Sequence, residues 1–329
     1  MNYGAALVLL SLALLQKMSQ GAPCKSAWAV LEEGSDRLVI HDGKPPRFDA
    51  GALPAVAWAS FQDDIQNTGW AYLEVESSHK FKDDIQAYAA GALEAHLTRQ
   101  LMEDQWENMF AHYCDNQTEF CAKLNGFLQK NLDYSRRNEE QLRASDPYWN
   151  LIHLEMQQMR GLSDAFDNIT LDTSRKMTNV TRALFFNLDG DFLDLEPAFK
   201  RAVDLQSISL VPACTALVKV VGNYEDIYIA HNSWFLYRSM LRIQKKYTFP
   251  WHYKPSATGP DGIIPGHTLT MSSYAGNIVS LDDFYLTSAG LVVTETSTLN
   301  ANPDLWLSLD PELAPLTWVR GVVATRLAR

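Results

Sequence analysis

Leu210-Val211-Pro212-Ala213-Cys214-Thr215-Ala216-Leu217-Val218-Lys219-Val220 sets a cysteine between a small residue and an apolar, β-branched run. The run predicts a buried strand that starts at the cysteine and stops at Gly222-Asn223. Ile227-Tyr228-Ile229-Ala230 resumes the pattern, so the two runs read as a β-hairpin. Folding it about Gly222 to Glu225 sets Cys214 opposite the stretch His231 to Trp234. A thiol in such a place is either a small apolar packing residue or a nucleophile.

The nucleophile reading has a specific chemistry. Cleavage of the peptide bond between Ala213 and Cys214 would give one residue both a thiol that attacks carbonyl carbon and an α-amino group that serves as base. Ala213 is small enough to let the thiol reach its carbonyl. His231, Asn232 or Trp234 could supply donors to the developing oxyanion. Each also has a simpler role: His231 and Asn232 suit a hairpin cap, and Trp234 suits a core.

Working outward, a second strand pair is expected at His267-Thr268-Leu269-Thr270-Met271 and Phe284-Tyr285-Leu286-Thr287, with Leu291 to Thr298 as a third strand. The polar group Thr294, Glu295, Thr296 and Ser297 ends it, as a substrate wall or as an ordinary solvated strand end. Asp282-Asp283 resembles a carboxylate pair, but neighbours in a strand face opposite ways, so a turn or cap role is expected.

Upstream, Trp70-Ala71-Tyr72-Leu73-Glu74-Val75 alternates as a half-buried strand, and a helical period begins at Phe81 and runs through Leu101. Helices are also expected at Glu119 to Leu132, Asn138 to Ala144 and Tyr148 to Gly161, with a more polar exposed connection or helical segment from Leu162 to about Leu184.

The apolar run Ala5 to Leu15, followed by Ser19, Gly21 and Ala22, predicts a secretory leader over residues 1–22. It falls short of the roughly 20 apolar residues a span requires, so no transmembrane anchor is expected. Sequons at Asn116-Gln117-Thr118, Asn168-Ile169-Thr170 and Asn179-Val180-Thr181 agree with export. Of the four cysteines, Cys114 and Cys121 make the natural local disulfide, while a Cys24 to Cys214 bridge competes with the nucleophile.

The 329 residues carry a net charge of −11 with no basic stripe, which argues against nucleic acid as a partner. Spacings for a zinc site, a phosphate-cradling loop or a serine-hydrolase elbow are lacking, so neither metal nor cofactor is expected.

Several segments resemble the phospholipase B-like family, the lysosomal or secreted group related to the lamina ancestor protein. They include Gly69 to Val75, Gln86 to Gly91, Cys214 to Lys219, Ala230 to Trp234, Met240 to Ile243, Ser272 to Gly276 and Asp282 to Val292. The resemblance implies an α+β N-terminal nucleophile hydrolase, an αββα sandwich of antiparallel sheets between helical layers. It implies self-cleavage before Cys214, a pocket lined by His231 and Trp234, and a further wall at Glu295-Thr296. It implies a secreted or lysosomal enzyme that removes fatty acyl chains from glycerophospholipids and needs no cofactor; an amide substrate and a non-catalytic lipid-binding glycoprotein are the alternatives. Family members continue beyond the position matching Arg329, so the fold is expected to be incomplete there. The expected layout is a leader at 1–22, a glycosylated helical part at 23–213 and the first part of the nucleophile-bearing core at 214–329. Oligomeric state is left open.

Overall fold

The computed structural model describes residues 22–44, 55–202, 213–282, 284–296 and 302–329. The expected leader up to residue 21, and the residues Leu210 to Pro212, Asp283 and Ser297, lie outside the described residues.

Eight strands form one sheet: β1 (Lys25–Leu31), β2 (Leu38–Asp42), β3 (Ala57–Asp64), β4 (Trp70–Ser77), β7 (Arg242–Thr248), β8 (Thr268–Tyr274), β9 (Phe284–Thr287) and β10 (Val292–Thr294). Their order is β10-β9-β8-β7-β4-β3-β1-β2. Every pairing is antiparallel except β4 with β7, so the sheet is mixed. That pairing joins strands from before and after Cys214 in one sheet. The remaining strands, β5 (Ala213–Val221) and β6 (Asp226–Trp234), form a separate two-stranded hairpin. The α+β class and the mostly antiparallel sheet match expectation; among the described residues the second sheet consists of that hairpin.

Alternation along the strands decides which face is covered. In β4, Ala71, Leu73 and Val75 are buried, whereas Tyr72 and Glu76 between and after them are exposed. The buried face receives helix α2 (Asp83–Met109), which packs on β1, β3 and β4. The one-turn helix α1 (Ile65–Thr68) only links β3 to β4. Helix α3 (Thr118–Leu142) is tied at its first turn by the Cys114–Cys121 disulfide, and α4 (Pro147–Phe166) lies between α2, α3 and α7 (Thr317–Leu327). The short α5 (Arg182–Phe185) and α6 (Asp189–Ala198) complete the helical layer.

Two expectations about the helices need correction. The stretches Glu119 to Leu132 and Asn138 to Ala144 are one continuous α3, because Asn131, Leu132, Ser135 and Glu139 keep one face of it buried across the polar middle. Helix α4 runs past Gly161 to Phe166, and Leu162 to Phe166 is buried rather than exposed. Its start is well marked: Asp146 accepts a hydrogen bond from the Tyr148 backbone N–H at 2.9 Å, with Pro147 in the first turn.

Helix α4 is buried from Trp149 onward because α2 approaches it backbone to backbone. A Cβ on Gly91 would lie 1.9 Å from the Gln158 carbonyl oxygen, and one on Gly161 would lie 1.9 Å from that of Tyr88. Only glycine allows this approach. Burial on all sides explains why the charged residues of α4 are paired. Asp164 accepts from the Tyr88 hydroxyl at 2.8 Å, and Glu155 binds Arg326 at 2.6 Å.

His153 of α4 lies 3.5 Å from Asp84 of α2 and 3.3 Å from Glu139 of α3, while Arg143 at the end of α3 also binds Asp84. Burial works against the imidazolium, but the two carboxylates outweigh it and raise the His153 pKa above 6.5. Burial likewise favours neutral Asp84, yet His153 and Arg143 hold it well below the usual carboxylate range. A raised histidine pKa contributes stability that is present below pH 6.5 and lost as pH rises through the folded-state value. His153→Gln is therefore expected to cost about 1–3 kcal/mol at pH 5. Denaturant titrations should show the gap shrinking toward pH 8; a gap that widens with pH would refute the assignment.

Candidate active site

Cys214 is the second residue of β5 and is half-buried, with its thiol free. Cys24 is also free, so the competing Cys24–Cys214 disulfide is absent. The hairpin register pairs Ala213 with Trp234, Cys214 with Ser233, Thr215 with Asn232 and Ala216 with His231. Directly paired residues share a face, and faces alternate along each strand. Cys214, Ser233 and His231 therefore lie on one face, with Asn232 and Trp234 on the other. Exposure follows the same alternation: His231 and Ser233 are half-covered, whereas Asn232 and Trp234 are exposed.

The placement of these residues differs from the sequence reading in three respects. Asn232 and Trp234 face away from the thiol, and at 55% exposure Trp234 is not a core residue. Ser233, directly opposite Cys214, is the polar neighbour that residue-type reasoning passed over; the period of two along β6 was the available signal. Nor is the strand after Cys214 buried: Leu217, Val218 and Val220 are 56, 64 and 48% exposed.

The polar end of β10 does meet the hairpin. His231 Nε2 lies 2.8 Å from the Glu295 carbonyl oxygen. A carbonyl can only accept, so Nε2 is the donor here and Nδ1 is the ring nitrogen that remains for an acceptor role in the neutral tautomer. The imidazole is thereby oriented as an acceptor at Nδ1, which suits proton transfer better than donation to an oxyanion. The side chains of Glu295 and Thr296 are exposed.

The Cys214 end of the hairpin, not its turn, rests on the body of the fold. Phe235, next after β6, has its ring 6.5 Å from that of Tyr274. The Tyr274 hydroxyl donates to Asp282 at 2.6 Å, and Arg242 binds the other oxygen of that carboxylate at 2.7 Å while lying 4.1 Å from the Trp70 ring centroid. Asp282 thus anchors this corner through its side chain, beyond the turn role read for it.

A family model for phospholipase B matches residues 57–329. The chain belongs to the phospholipase B family. Among its relatives, the mouse protein named "Putative phospholipase B-like 2" is 37% identical over 303 residues, covering 91% of this chain and 49% of that protein. The human protein of the same name is 36% identical over 308 residues, covering 92% and 50%. "Phospholipase B-like protein B" of Dictyostelium discoideum is 33% identical over 284 residues, covering 83% and 48%. The chain spans about half the length of these curated relatives.

The phospholipase B match takes in Ala213, Cys214, His231, Asn232, Trp234, Glu295 and Thr296, together with Cys114 and Cys121. It also contains the sequon residues Asn116, Asn168 and Asn179, all exposed. Among the described residues no helix is long and apolar enough to cross a membrane.

Proposed function

We propose that this phospholipase B family member is an exported acyl hydrolase that removes fatty acyl chains from glycerophospholipids after cleavage between Ala213 and Cys214. The observation that carries the reading is a free thiol at the start of β5 sharing its hairpin face with His231, whose ring is oriented through the Glu295 carbonyl.

In maturation the Cys214 sulfur attacks the Ala213 carbonyl carbon; the C–N bond breaks, the freed amine takes the thiol proton, and a thioester remains. Water then cleaves the thioester, leaving a carboxylic acid on Ala213 and a thiol on Cys214. The new α-amino group, with an intrinsic pKa of about 7.7–8.0, is a base placed beside its own nucleophile. In turnover the same thiol takes the acyl group from a lipid ester, the glycerol oxygen leaves with a proton, and water releases the fatty acid. Family membership supports a hydrolase; the lipid ester is the proposed substrate class.

Intact mass and N-terminal sequencing after incubation at mildly acidic pH test the maturation step: a new terminus at Cys214 is expected. His231→Gln separates orientation from proton transfer, because a glutamine amide can still donate to Glu295 but holds no ring lone pair. Its expected effect is a loss of about 10²–10⁴ in hydrolysis, the range of a single acid–base group. Unchanged hydrolysis would remove His231 from the mechanism.

A second reading, a non-catalytic lipid-binding glycoprotein, draws on the apolar exposure of the hairpin. Ile227, paired with Val220, and Tyr228 are 55 and 60% exposed there, as are Leu217 and Val218 at 56 and 64%. Binding of phospholipid vesicles by an uncleaved chain that releases no fatty acid would decide for it.

A further inference from the structure

A cleft of about 600 Å³ opens on the helical layer, well within the roughly 300–1,000 Å³ of small-molecule sites. It is lined by Trp106 of α2, Asn125 and Gln129 of α3, Arg182 and Phe185 of α5, and Asn179 itself. An aromatic surface edged by carboxamides is the chemistry that holds sugars: ring C–H groups lie on the aromatic face, and amides exchange hydrogen bonds with hydroxyls.

Charge narrows the ligand further. Arg182 is the cationic group of the cleft lining, and its guanidinium already binds Asp167 at 2.9 Å and Glu103 at 3.3 Å while lying 5.7 Å from the Trp106 ring centroid. Its charge is compensated, so the cleft suits a neutral ligand better than an anion.

The segment that carries Asn179 is tied down beside the cleft. Gln129 donates to the Thr178 carbonyl at 2.7 Å, and the Thr181 hydroxyl accepts from the Leu184 N–H at the start of α5. The other two sequon asparagines differ: Asn116 and Asn168 sit at helix ends with φ of 56° and 55°, away from the cleft.

We propose that the N-linked glycan of Asn179 is seated in this cleft, its first two N-acetylglucosamines lying against Trp106 and within reach of Asn125 and Gln129. The modification forms a bond from Asn179 Nδ2 to C1 of the donor sugar. The C1–O bond to a lipid pyrophosphate breaks, and the amide nitrogen gives up one proton. The proposal depends on export through a glycosylating compartment and not on the chemistry of Cys214, so the two fail separately.

The test uses the full chain secreted from cells that leave glycans in the high-mannose form. Endoglycosidase H cleaves between the first two sugars, and site-resolved mass spectrometry follows each asparagine. Asn179 is expected to be trimmed at least about tenfold more slowly in the native protein than after denaturation, equivalent to ~1.4 kcal/mol of seating. Asn116 and Asn168 should show no such difference. Trp106→Ala should abolish the protection, and where that variant is not secreted, Asn125→Ala at the exposed rim should reduce it. Equal native and denatured rates at Asn179, or a secreted chain without sugar at Asn179, would overturn the proposal.

Discussion

Cys214→Ala is expected to leave the chain uncut at Ala213–Cys214 and to lower fatty-acid release by on the order of 10⁶-fold, the scale of losing a catalytic nucleophile. The effect is large because the proposal gives Cys214 two roles at once: its sulfur forms the acyl intermediate, and its α-nitrogen becomes the base only after cleavage. Cys214→Ser is the informative companion. A hydroxyl keeps the geometry but is far less ionised near neutral pH, so cleavage should be slower rather than absent. Mass spectrometry of all three chains over the same acidic incubation separates the cases. An alanine variant that is cut at the same bond would assign the cleavage to another protease, and one that still hydrolyses ester would end the nucleophile assignment.

Glu94→Ala is expected to destabilise the fold by about 3–5 kcal/mol, since it strands a buried charge. Lys245 Nζ lies 2.6 Å from Glu94 Oε1 with both side chains fully buried, and it also donates to the Asn277 carbonyl at 2.5 Å. Tyr247 donates its hydroxyl to the other Glu94 oxygen at 2.5 Å. Burial pulls the Lys245 pKa down, and Glu94 opposes that pull. With Glu94 gone the desolvation is opposed only by the neutral Asn277 carbonyl, and the expected fall in melting temperature is on the order of 10 °C. Adding Lys245→Met removes the stranded ammonium, so the double variant should recover much of the loss. If the two losses simply add in denaturant titrations, the pair contributes no coupling and the account fails.

The pair also shows where sequence reading runs out. Lys245 occupies the inward phase of β7, between buried Ile243 and Tyr247, and Glu94 follows Ala92-Leu93 in a helix that is otherwise apolar there. Each looks out of place alone; their meeting depends on how α2 crosses the sheet. The same holds for Gly91 and Gly161, unremarkable in a linear scan, where an added Cβ would lie 1.9 Å from a carbonyl oxygen of the facing helix. The polar middle of helix α3 reads as a break in a linear scan, and only the neighbours that bury Asn131 and Ser135 explain why it continues.

Local pattern was enough to find the hairpin, the strand of Trp70, the long helix after Phe81 and the family resemblance, because alternation, turn residues and helical period are properties of neighbours in the chain. It also set Cys214 opposite His231 to Trp234, since antiparallel register follows from the turn. Tertiary structure alone decided the rest. The return of β10 brought Glu295 to the imidazole, the crossing of α2 over the sheet brought Glu94 to Lys245, and helix packing opened the cleft beside Asn179. These depend on contacts between residues far apart in sequence, whose geometry is fixed by packing, and no periodicity along a single segment encodes it.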